Sequence, residues 1–251
     1  MAEVRFVAIG DSFTEGVGDE LPDGSVRGWA DIAAQGWADA SGDSIQYANL
    51  AIRGKLAWPI VEQQLEPALA LKPTHLSFNA GGNDMLRPNA DIEHIADSFT
   101  RVLRRCDEEG VTLIVLSGAN PSGRLPMGRM VQRRGDELSA AVMRRIEDRP
   151  DVLRALNWPD TELSRAPYWS EDRLHMNAHG HHRVAARVLD ALGYMPPQEW
   201  WEPLRTPPMG PSGYAYYRQF VGPWIKRRLT GTSSGDGRTA KFGTWSQRDP
   251  R

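Results

Sequence analysis

The chain has a single cysteine, Cys106, in 251 residues. No internal disulfide and no cysteine-based zinc site can be built from it, which argues against a secreted disulfide scaffold. Long hydrophobic runs are also missing: no stretch approaches the ~18–20 apolar residues that a membrane-spanning helix needs. The first apolar run, residues 4–9, is too short for a signal-peptide core and has no basic segment before it, so no leader is expected. Neither sign of charge dominates: 30 Lys and Arg against 32 Asp and Glu leave a formal net charge of −2 with histidine neutral. That balance is no electrostatic footprint for nucleic acid or for an anionic membrane surface. Internal repeats are absent as well. The expectation is a cytoplasmic protein of one or two domains that binds no nucleic acid and does not insert into membranes. Homo-oligomerisation is left open.

What is present is an alternation. Residues 4–9, 45–50, 75–79, 111–116 and 152–156 are short, largely apolar and β-branched runs that read as strands, several closed by glycine. Residues 29–40, 92–109, 127–147 and 178–192 carry helix-like sequence between and after them. The clearest helical periodicity is Ile92, Ile95, Ala96, Phe99, Val102, Leu103 and Cys106. Asn177 reads as the N-cap of the last helix and Gly193 as its end. Alternating β and α at this spacing predicts a three-layer α/β/α sandwich with about five parallel strands, spanning residues 1–195. Residues 196–229 change texture, with Trp200, Trp201, Tyr214, Tyr216, Tyr217, Phe220 and Trp224 among prolines. So apolar a segment is expected to pack back on the domain, Trp200, Trp201 and Trp224 covering helix faces rather than forming a lid. Residues 230–251 hold little that is apolar and are expected to be disordered.

Open α/β sheets place ligands beyond the carboxyl ends of their strands. Those ends here carry Gly10-Asp11-Ser12-Phe13, Asn49 to Gly54, and Gly81-Gly82-Asn83-Asp84; the loop before the last helix carries Asp172-Arg173-Leu174-His175. A serine hydroxyl needs a base within reach to act as a nucleophile. Histidine, titrating near neutral pH, can take that proton and return it to a leaving group, and an aspartate fixes the imidazole tautomer. A tetrahedral intermediate needs preorganised donors for its oxyanion, which the backbone N–H groups of Ser12 and Gly54 and the amide of Asn83 could supply. Glycine at 54 would let the backbone approach the substrate closely.

These four blocks resemble the SGNH, or GDSL, hydrolase superfamily of esterases, lipases and carbohydrate deacetylases. The resemblance covers about residues 4–193, in the family's order, and implies a flavodoxin-like sheet. It also implies carboxylic ester hydrolysis through an acyl-enzyme on Ser12, with His175 as base, Asp172 as its partner, and Ser12, Gly54 and Asn83 as the oxyanion hole. No cofactor and no metal are implied, and the partner is a small-molecule ester or an acylated carbohydrate. Phe13 stands where the family has leucine, and Met176 stands where proline is common after the histidine. Carbohydrate O-deacetylation and acyl transfer would use the same residues, and a non-catalytic binding module on this fold stays open.

Other readings of the same residues carry less. Asp11 as a phosphoryl acceptor would want a second aspartate at 13, where Phe13 stands. His175, His179, His181 and His182 cluster in sequence but lack the glutamate of a zincin helix. Gly16-Val17-Gly18 lacks the rest of a dinucleotide fingerprint. Arg129, Arg133, Arg134, Arg144 and Arg145 read as a solvated helix face, and Arg53 and Arg87 as surface arginines or contacts to a polar substrate.

Overall fold

The computed structural model describes residues 3–205, 213–223, 230 and 232–251. Strand β1 (Val4–Ile9) leads into a one-turn helix, α1 (Ser12–Glu15), and then into α2 (Trp29–Ser41). After β2 (Ile45–Asn49), a continuous helical stretch begins as α3 (Ala57–Ile60), widens into a π-turn at Val61–Leu65 and ends as α4 (Glu66–Ala70). Next come β3 (His75–Phe78), the one-turn α5 (Gly82–Met85) and the long α6 (Ile92–Glu109). The chain continues through β4 (Thr112–Ser117), α7 (Gly128–Ile146), β5 (Leu153–Leu156) and α8 (Ala178–Ala191). Beyond these lie α9 (Gly213–Tyr216), a π-turn at Tyr217–Val221, and β6 (Phe242–Arg248).

The sheet order is β5-β4-β3-β1-β2-β6. The first five strands are parallel, and β6 joins β2 antiparallel, with Ile45 opposite Arg248 and Tyr47 opposite Ser246. The five parallel strands are those expected from the sequence. The correction is β6, an antiparallel edge strand at Phe242–Arg248 inside residues 230–251, the segment expected to be disordered. An edge strand needs only backbone pairing and a few apolar contacts, so its polar composition looks like a solvated segment.

Side-chain alternation along the strands divides the core in two. Val7, Ile9, Leu76, Phe78 and Val115 face α3, α4, α6 and α7. Phe6, Ala8, Tyr47, Ile114 and Leu116 face α2 and α8. Being covered on both faces is why β1 reads as a continuous apolar run. The long helices are punctuated locally. Asp91 caps α6 by accepting the His94 N–H at 3.0 Å, and Gly110 ends it in the left-handed region. Cys106, buried in α6, has its thiol pushed up to about 12 by burial, which leaves it unreactive.

Candidate active site

All four sequence blocks meet at the carboxyl edge of β1, β2 and β3. β1 ends at Ile9, and the buried Gln64 amide grips Gly10 from both sides, accepting its N–H at 2.8 Å and donating to its carbonyl at 3.0 Å. Asp11 then caps α1, its Oδ1 accepting the Phe13 N–H at 3.0 Å. This turn puts Ser12 on the first helical residue, half-buried at the rim. Phe13, in the place of a leucine, packs against Trp29 and His181.

His175 Nε2 lies 3.0 Å from Ser12 Oγ, and its Nδ1 lies 2.5 Å from Asp172 Oδ2. With Nδ1–H donating to the carboxylate, Nε2 is the acceptor that faces the serine. Asp172 Oδ1 accepts the N–H groups of Leu174 and His175, each at 2.9 Å, and the Ser170 hydroxyl at 2.7 Å. Burial by itself would raise the Asp172 carboxyl, but the His175 ring and these N–H donors outweigh it and hold it well below the usual carboxylate range. The loop is a small hairpin: Ser170 N–H donates to the His175 carbonyl and Asn177 N–H to that of Tyr168. Met176, in the place of a proline, is buried beneath it in the α2–α8 core. Ser170 was not among the sequence candidates, although Ser-x-Asp is a local turn signal.

The oxyanion candidates are also brought to this rim, with two differences from expectation. Asn83 Nδ2 donates to Asp11 Oδ2 at 3.1 Å and to the Lys55 carbonyl at 3.0 Å, so its amide is engaged with protein acceptors. Gly54 has φ +78°, and a Cβ there would lie 2.1 Å from Ser233 Oγ. Glycine at 54 thus answers to a left-handed backbone and to a serine of the C-terminal segment, rather than to substrate approach alone. Asp11 is fully buried between Phe13 and Asn83. Burial pushes its carboxyl up to about 6, partly offset by the Phe13 N–H and the nearby His175.

Several flanking residues do other work than their sequence suggested. Arg53 does not reach toward a substrate: its guanidinium is held by Glu15, whose carboxylate also accepts the Arg53 N–H. Arg134 on α7 is no solvated residue, since it donates to the carbonyls of Met85, Arg87 and Pro88 and so fastens the loop after Asn83. Arg144 and Arg145 pair with Glu93 on α6. His181 is buried, accepting the Trp29 N–H on Nδ1 at 3.1 Å, and burial pushes its ring down to about 4. His179 is exposed. Among the described residues no group of three or more His, Cys, Asp or Glu is placed to hold a metal ion.

Two cavities meet at Ser12 and His175. One, of about 330 Å³, runs inward between the sheet, α6 and α7, past Phe99, Val115, Leu138, Val142 and Trp158. The other, of about 550 Å³, is bounded by Gly54, Asp172, Leu125 and, from the C-terminal segment, Tyr217, Phe220 and Ser233. Trp200 lies elsewhere, edge-on to His182 of α8, and Trp201 beside Arg183 and Arg187. Trp224 and Leu229 lie outside the described residues.

A parallel sheet that gathers Ser, Gly, Asn and His blocks at one edge defines the SGNH class of hydrolase. Residues 8–183 match the GDSL-like lipase/acylhydrolase family, and the chain belongs to it. No curated protein matches the sequence. Solved structures share the fold. The psychrotrophic esterase EstA from Pseudoalteromonas sp., solved in a form inhibited by monoethylphosphonate, is 17% identical with TM-score 0.60, over 76% of this chain and 97% of its own. The lipase/acylhydrolase from Enterococcus faecalis is 18% identical with TM-score 0.61, over 78% and 99%. The acetyl xylan esterase Axe2 from Geobacillus stearothermophilus is 18% identical with TM-score 0.59, over 76% and 95%. At these identities the likeness speaks for the fold, while the family match supports a carboxylic ester hydrolase. No helix among the described residues is long and apolar enough to cross a membrane.

Proposed function

We propose that the protein hydrolyses esters of apolar carboxylic acids through an acyl-enzyme on Ser12. The observation that carries this reading is the relay Ser12–His175–Asp172, at 3.0 and 2.5 Å, standing at the mouth of an apolar cavity. Ser12 Oγ attacks the ester carbonyl as His175 Nε2 takes its proton, and Asp172 steadies the imidazolium that forms. The backbone N–H groups of Ser12 and Gly54 face the developing oxyanion. The Asn83 amide joins them by turning one N–H away from Asp11 or Lys55. His175 then gives its proton to the leaving alkoxide, and a water activated by the same ring releases the acid and frees Ser12. The inner cavity suits the acyl part, because an alkyl chain has no polar group to leave unpaired among Phe99, Val115 and Leu138.

The test combines fluorophosphonate labelling with a panel of p-nitrophenyl esters from acetyl to palmitoyl, run beside acetylated sugars. The wild type should label at Ser12 and prefer an acyl chain longer than acetyl. Ser12→Ala and His175→Ala should each lower kcat by about 10⁴-fold while remaining folded. A folded Ser12→Ala that keeps a tenth of the activity would remove Ser12 from the mechanism, and a preference for acetylated sugars would replace the apolar acyl substrate by deacetylation.

A further inference from the structure

The family match ends at residue 183, yet the chain beyond it returns to the catalytic rim. Tyr216, only 3% exposed, donates its hydroxyl to the Asp172 carbonyl at 3.0 Å. Its ring lies against the Arg173 guanidinium, 4.0 Å from carbon to centroid. Arg173 is the residue between the acid and the base whose backbone is unusual, with φ +61° in the left-handed region. A non-glycine residue there stores about 1 kcal/mol or more, and the turn from Asp172 to His175 keeps its shape only if its surroundings hold it. Tyr216 grips that turn at two points, the carbonyl before Arg173 and the side chain of Arg173 itself. Farther along, Ser233 packs directly on Gly54, and Gly235 fits against the Arg53 carbonyl, where a Cβ would come within 2.0 Å of the oxygen. Both the acid–base loop and the Gly54 loop are therefore in contact with the C-terminal segment.

The outer cavity is the second observation. Asp172 and His175 line it together with Tyr217, Phe220 and Val221 of the C-terminal segment. The oxygen that leaves an ester collects its proton from His175, so the alcohol part must lie beside that ring. With the acyl part in the inner cavity, the outer one, lined by His175, Tyr217 and Phe220, is the space left for it.

We infer that the C-terminal segment is a working wall of the active site, with Tyr216 as a positioning residue for the Asp172–His175 pair and Tyr217 and Phe220 as the contact for an apolar or aromatic alcohol. The inference rests on ester hydrolysis at Ser12. Tyr216→Phe deletes one hydroxyl and keeps the ring on Arg173. Loss of a single hydrogen bond predicts a three- to tenfold fall, on the order of its usual worth, in kcat and in the fluorophosphonate labelling rate. KM should stay unchanged, and the fall in kcat per folded molecule should persist whatever small drop in Tm the lost hydrogen bond brings. A merely structural tyrosine would lower Tm and leave kcat per folded molecule alone, and that result would overturn the positioning role. Tyr217→Ala combined with Phe220→Ala should raise KM for naphthyl and phenyl esters of one acid several-fold more than for the methyl ester of the same acid. Equal effects on both alcohols would overturn the specificity role. A wild type that neither labels at Ser12 nor cleaves any ester would overturn the hydrolase reading, and this inference with it. A wild type that labels, beside variants indistinguishable from it, would overturn the wall alone.

Discussion

At the scale of single residues, Asp11 and Asn83 carry opposing demands. Asp11 caps the turn that presents Ser12 and accepts a hydrogen from Asn83, but it does so fully buried. Its folded value of about 6 lies above the ordinary 3.8, so the folded state holds a proton that the unfolded chain releases between these two pH values. Stability contributed by this group therefore falls as pH rises from about 4 to 6, and above 6 the buried anion costs roughly 3 kcal/mol. Asp11→Asn should accordingly stabilise the fold more at pH 8 than at pH 5, as measured by urea denaturation at both; a difference that ignores pH would show that the carboxyl is not the source. The same variant should lose activity, since an amide offers Asn83 Nδ2 a donor in place of an acceptor. Asn83→Ala should lower kcat by about 10²–10³-fold with little change in KM, as expected for a donor that acts on the developing oxyanion. A raised KM at constant kcat would instead make Asn83 a ground-state binding residue.

At the scale of elements, strand β6 is fastened by one side chain. Lys241, just before it, directs Nζ to the carbonyls of Glu15, Val26 and Arg27 and to Asp31 Oδ2, the last at 2.6 Å. Burial raises Asp31 to about 6 and lowers Lys241, so each member of the pair is costly without the other. Lys241→Met should cost about 3–5 kcal/mol in denaturant unfolding, because it leaves the buried Asp31 with only the more distant Arg248, at 3.9 Å, and takes the donor from three carbonyls. Adding Asp31→Asn should recover part of that loss and no more, since the carbonyls stay unpaired; a single-variant cost below about 1 kcal/mol would show that the clamp is dispensable. Nothing in residues 230–251 announced this. Phe242 and Trp245 are too few to make a periodic pattern, and the partner strand lies almost two hundred residues earlier. Helix α6 is the contrary case. Its apolar stripe, its Asp91 cap and its Gly110 stop all lie within one short stretch, and it forms over the residues that pattern indicates.

At the scale of the whole molecule, the chain closes on itself around its first loop. Segments near both ends of the sequence meet at α1: the Ser12 turn from the start, His175 from the loop before α8, and Lys241 from the end, while Ser233 packs on Gly54. Removing residues 230–251 should therefore lower Tm by about 10 °C, since the sixth strand and the Lys241 clamp go together. Esterase activity should fall as well, because the Gly54 loop loses its backing. A shortened chain with unchanged Tm and activity would return this segment to the status of a loose tail.

The sequence by itself determined the layered α/β order, the ends of the long helices, and which residues stand at the strand ends. These depend on periodicity, caps and glycines that act over a few residues, and on a sheet topology that places strand ends at one edge. It also carried the pairing of Asp172 with His175, three residues apart in one turn. The tertiary structure alone decided that Asp11 is buried enough to titrate near 6, that the Asn83 amide is engaged, and that Glu15 holds Arg53. It alone decided that a polar tail becomes a strand and that Tyr216 grips the acid–base turn. Each of these arises from burial or from a partner dozens to hundreds of residues away, and such contacts exist only once the chain has closed.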